Sequence, residues 1–207
     1  MLEGTTRAAD EVLGLMPSNL DICTVEKVAI NAVMAGCRPD YMPVVLAAIE
    51  AVLDEDYCLH GTLATTRFVG PVVIVNGPIA RDLGFNVQEG AFGGGSHANA
   101  AIGRAVRLVL WNIGGGIPGI TDMCTQGSPA KFAFCVAENE AASPWTLLHE
   151  ERAGLDRDQN AVTVFACQSP NPLFAPGKAE RILKGLACSL PTVAINMFHS
   201  AGQGLIS

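Results

Sequence analysis

Two periods of apolar and polar positions alternate along this chain. From residue 24 to 35 Val25, Val28, Ala29, Ala32 and Val33 recur at the three- and four-residue spacing of a helix face, with Thr24 placed as an N-cap. A second helix is predicted over 41–54, capped by Asp40 and apolar almost all round, hence buried. Residues 68–75 are rich in β-branched side chains and stop at Asn76-Gly77-Pro78, which predicts a buried strand followed by a turn. Ligands of α/β sheets gather at the carboxyl ends of such strands, so Asn76 stands in a site-like place.

Residues 90–99, GAFGGGSHAN, form a glycine-rich loop, and good helix formers run from 100 to 111. The glycines of 114–119 close that helix. Strands are predicted over 131–137, 161–167 and 191–198, and helices over 144–152 and 177–189. The pattern reads as α/β (or α+β), a single-domain sandwich in which a mixed sheet of about four strands packs with about five helices. Residues 1–17 are expected to be a loosely ordered N-terminal segment ahead of the domain at 18–207.

Composition narrows the function. The chain has 207 residues, 49% of them apolar and 16% charged, enough for one well-buried core. A net charge of −7 without a basic stripe argues against a nucleic-acid partner. No apolar run reaches the ~20 residues of a membrane span, and no basic-then-apolar leader opens the chain, so a cytoplasmic protein without a membrane partner is expected. Seven cysteines without a Cys-x-x-Cys pair read as reduced thiols.

Among them Cys37 stands out. It lies in Ala35-Gly36-Cys37-Arg38-Pro39-Asp40, between the first two helices, where a helix N-terminus and the Arg38 guanidinium would both favour a thiolate nucleophile. The plainer alternative is a structural cysteine in a helix–helix turn. Of the four histidines, His97 at the glycine-loop helix, His199 after the last strand and His60 are candidate bases or metal ligands, whereas His149, among Glu150, Glu151 and Arg152, reads as solvated. Glu138 and Glu140 follow an apolar strand and offer carboxylates for acid–base work or for a divalent metal, or else decorate a helix start. Trp145 just beyond walls a pocket or fills the core. Gly94, Gly95, Ser96, Asn99 and Arg104 gather at one helix start as candidate ligands of a small anion, although a tight glycine turn explains the same run. The loop lacks the ending of a P-loop and the spacing of a dinucleotide fingerprint, so no nucleotide cofactor is expected.

Residues 24–41 (TVEKVAINAVMAGCRPDY), 75–80 (VNGPIA), 98–105 (ANAAIGRA), 134–140 (FCVAENE) and 143–145 (SPW) resemble the domain that accompanies the bacterial UGSC family, named for a selenocysteine (or cysteine)-Gly-Ser-Cys motif. The resemblance spans about residues 18–165 and implies a shared architecture. That motif does not occur in this chain, so the resemblance implies that it lies on a separate partner chain or is absent altogether. His97 also stands where the family pattern leads one to expect an arginine. Two functions follow as expectations. One is a small-molecule enzyme, a lyase or hydrolase for a small anionic substrate, with Cys37 as nucleophile or acid–base group, His97 and His199 moving protons, Glu138 orienting a base or metal, and Arg38 and the glycine loop holding charge. The other is a non-catalytic subunit completing a composite site with a redox Cys/Sec chain. Either a homo-oligomer or such a hetero-oligomer is expected.

Overall fold

The computed structural model describes residues 1–93, 95–170, 174, 176–194 and 201–205. In chain order the strands and helices are β1 (Val12–Met16), β2 (Asp21–Thr24), α1 (Val25–Met34), α2 (Met42–Leu53), α3 (Leu59–Ala64), β3 (Gly70–Asn76), α4 (Pro78–Asp82), α5 (His97–Asn112), β4 (Cys135–Ala137), α6 (Leu148–Ala153), β5 (Ala161–Cys167), α7 (Ala179–Ala194) and β6 (Ala201–Leu205). Helix and strand are mixed, roughly α+β. In place of one four-stranded sandwich, the strands divide between an antiparallel β1–β2 pair and a sheet ordered β4-β3-β5-β6. Seven α-helices stand among the described residues, against the five expected. The chain divides into two compact units, Met1–Gln168 with Ser200–Ser207, and Ser169–His199. In the second unit the described helix is α7, whose apolar residues recur at helical spacing.

In the first unit α2 is the hub. Nine of its twelve residues are buried, and it packs on β5, β6, β1, α1 and α5. Thr24 caps α1 as expected, its hydroxyl accepting the Lys27 N–H at 3.3 Å. Asp40 does not cap α2. A 3₁₀ turn over Pro39–Tyr41 intervenes, and the Asp40 carboxylate is taken by Arg38. Strand β3 runs parallel to β4 and antiparallel to β5, so the carboxyl ends of β3 and β4, at Asn76 and Ala137, lie side by side.

Other boundaries shift for local reasons. Helix α5 begins at His97, three residues before the expected start, and the expected strand over 131–137 shrinks to three residues because Pro129–Lys131 form a 3₁₀ turn. Residues 191–194 belong to α7 instead of the expected strand, and 195–198 lie outside the described residues. The N-terminal segment is tied down: Arg7 bonds Glu11 at 2.6 Å and Glu50 at 2.7 Å, and β1 pairs with β2. These partners lie 4 and 43 residues away, and the second is invisible to local patterning.

Candidate functional site

Cys37 is shaped by the end of α1 instead of the start of α2. Gly36, at φ +82°, lets its own N–H reach Val33 O, while the Cys37 N–H reaches Ala32 O, both at 2.9 Å. This is a Schellman closure, with Cys37 as the apolar residue that follows it. The thiol therefore sits at the negative end of a helix dipole. Its Sγ–H donates to Ala101 O on α5 at 3.3 Å, and burial pushes its pKa up to about 12. Arg38 does not offset this, because its guanidinium chelates Asp40 at 2.7 and 3.1 Å and lies 4.6 Å from the centre of the Tyr41 ring. The expected thiolate is thus corrected to a protonated thiol. Alkylation of Cys37, followed by peptide mass spectrometry, should show no plateau until near pH 12; a plateau near neutrality would contradict this.

The same turn delivers Tyr41, which the sequence reading passed over as a first-turn helix residue. Its ring is buried, and its hydroxyl lies 3.1 Å from His97 Nδ1. Burial raises the phenol pKa, so near neutral pH it holds its proton. The direction of this bond follows the imidazole: Nδ1 accepts where only Nε2 carries a proton, and donates in the imidazolium. His97 itself is exposed at the first position of α5. Cys37, Arg38 and His97 are therefore brought around one turn, with Tyr41 at its centre.

The glycine loop is held by its own polar residues. Ser96 Oγ donates to Gly84 O at 3.2 Å; buried Asn99 accepts the Asn86 N–H at 3.0 Å and donates to Asn86 O and Ala91 O. These contacts tie residues 84–91 to the start of α5. Gly95 is exposed, and Gly94 lies outside the described residues, as does His199.

A second cluster forms at the carboxyl ends of β3 and β4. Buried Asn76 donates through Nδ2 to Glu138 Oε2 at 2.7 Å and to Glu140 Oε1 at 2.9 Å. The Gly77 N–H donates to Glu140 at 2.7 Å and the Leu148 N–H to Glu138 at 2.9 Å. Asn76 Oδ1 is buried without a partner among the described residues. Both carboxylates open onto a cleft of about 510 Å³ that also takes in Arg81, Phe85 and Arg157. Asn76 thus fixes the two carboxylates from below, as a positioning residue.

Arg104 lies elsewhere, seven positions along α5 from His97. It faces a third cleft of about 470 Å³ shared with Arg107, Trp111, Asp122 and Lys131. Asp122 is fully buried; it bonds Arg107 at 2.9 Å and Lys131 at 2.8 Å. Burial alone would raise its pKa, but the Cys124 side chain and the Lys131 and Arg107 charges hold it below the ordinary carboxylate range. No local signal could have found this triad, since its members meet only through the fold.

Two further expectations change. His149 is buried, with neither ring nitrogen partnered among the described residues, because α6 turns that face inward. Trp145 neither fills the core nor walls one of these clefts; it stands 78% exposed. His60 is exposed on α3. Among the described residues no group of three or more His, Cys, Asp or Glu is placed to hold a metal, and no helix is long and apolar enough to cross a membrane. No family model, curated protein or solved structure matches this chain.

Proposed function

We propose that the chain is a small-molecule enzyme, a lyase or hydrolase acting on a small anionic substrate, with His97 as its proton donor. The observation that carries this reading is the 3.1 Å contact between the Tyr41 hydroxyl and His97 Nδ1. As the imidazolium, His97 donates through Nδ1 to the Tyr41 oxygen and presents its Nε2 proton to solvent; passing that proton to a leaving group or developing oxyanion leaves neutral imidazole. Arg38, packed on the same Tyr41 ring, would meet the substrate's anionic group by exchanging its exposed Asp40 partner for it. Cys37 contributes a neutral thiol beneath the turn, and Glu138 with Glu140 forms a separate carboxylate pair at the strand ends.

The test is turnover on a panel of small carboxylic and phosphoric esters and hydroxy acids. His97→Gln is expected to lower the rate by about 10²–10⁴-fold, and Tyr41→Phe to lower it less while shifting the pH profile. Unchanged turnover in His97→Gln, or none by the unaltered protein, would overturn the reading.

A second reading keeps the chain as a subunit that completes a site on a partner bearing a redox Cys/Sec motif. The protonated Cys37 thiol favours it, as do the exposed Ile30, Val33 and Met34 on α1, just ahead of the Cys37 turn. The resemblance of residues 18–165 to the domain accompanying the UGSC family supports the same reading. Light scattering coupled to size exclusion separates the two: a homo-oligomer active alone would sink the subunit reading. All seven cysteines are free thiols, which suits the cytoplasm on either reading.

A further inference from the structure

We infer that the cleft between α5 and residues 122–132 is a binding site for a small organic dianion with a planar apolar body, a phosphate monoester of an aromatic alcohol being its simplest form. Three cations, Arg104, Arg107 and Lys131, line it against one carboxylate, Asp122. Asp122 is saturated by Arg107 and Lys131 and can neutralise only one of the three charges. Arg104 has no ion pair or hydrogen bond among the described residues. The cleft therefore keeps a surplus of about two positive charges. This surplus sits in a chain whose net charge is −7, so the cleft stands out as the place where an anion is drawn in.

The donors are also free to act. Arg107 spends only Nη2, on Asp122 Oδ2 and Gly116 O, and leaves the rest of its guanidinium fork uncommitted. Lys131 gives one of its three N–H bonds to Asp122. Ser128 Oγ lines the same cleft, buried without a partner among the described residues, and is a hydroxyl available to an incoming oxygen.

The apolar requirement comes from two aromatic rings. Trp111 is 38% exposed and Phe132 69% exposed, and both line the cleft. The Arg107 guanidinium lies 5.4 Å from the Trp111 ring centre, so the charge and the aromatic face form one wall. A volume of about 470 Å³ suits a ligand of one ring plus its charged group. The site is separate from the Tyr41–His97 pair, and binding there does not depend on any turnover.

Trp111 supplies the readout. In a Trp145→Phe background, which leaves Trp111 as the sole indole, phenyl phosphate is expected to change the emission saturably and to bind more weakly as salt is raised. Arg104→Gln should weaken binding by about tenfold or more, with a nearly unchanged melting curve because Arg104 makes no ion pair or hydrogen bond among the described residues. Inorganic phosphate, without the ring, should bind more weakly than phenyl phosphate, and phenol, without the charge, more weakly still. The inference is overturned if phenyl phosphate gives no saturable change, if Arg104→Gln binds it equally well, or if phenol or inorganic phosphate binds as tightly.

Discussion

Replacing Asp122 with alanine is expected to lower the unfolding free energy by about 3–5 kcal/mol, because it strips two nearly buried cations of the one carboxylate they pair with among the described residues. Urea unfolding monitored by circular dichroism measures the loss. A second variant shows that charge, not lost volume, is responsible: adding Lys131→Met to Asp122→Ala should restore part of the stability, since one uncompensated cation is gone. A double variant no more stable than Asp122→Ala would refute the charge account. The pH dependence follows from the direction of the shift. The folded-state pKa lies below the ordinary value, so the stabilisation is complete above the unfolded pKa of about 4 and is lost as pH falls toward the lower folded value. Asp122→Ala should accordingly show a shallower acid limb than the unaltered protein.

The second large effect is expected at Gly77. Its φ is +91°, and an added Cβ would lie 2.4 Å from Gln159 O and 2.8 Å from Asn160 Cα, both backbone atoms that cannot swing away. Gly77→Ala should cost about 3 kcal/mol or more, combining left-handed strain with an overpacked contact. Gly36→Ala is the matched control. It has φ +82° but nothing within 4 Å of the added Cβ, so its cost should stay near 1 kcal/mol. Equal melting temperatures for the two variants would show that the Gln159 contact does not matter. Because the Gly77 N–H also holds Glu140, Gly77→Ala should disturb the carboxylate pair as well.

What the sequence revealed and what it hid divide along the reach of the interactions. Thr24 as a cap, the buried α2 and the strand ending at Asn76 were legible because each depends on neighbours within a turn or a few residues. The grouping of Asn76 with Glu138 was half legible: strand ends were marked, but their adjacency is set by the parallel β3–β4 register. Cys37 was misjudged for an instructive reason. The two helices flanking it were recognised, yet the thiol's ionisation depends on which helix end claims it, and Gly36 assigns it to α1. Tyr41, Asp122 and Lys131 were missed because their partners lie 56, 15 and 9 residues away, and no periodicity encodes a contact between loops.

Strand β4 has one more consequence. It is an outer strand of its sheet and only three residues long, Cys135–Ala137, flanked by the Phe132 turn on one side and the engaged carboxylates of Glu138 and Glu140 on the other. Such a border offers too few free backbone groups to template a neighbouring chain, and the acidic residues at its end repel one. The shortness that the sequence pattern missed is therefore a safeguard against aggregation.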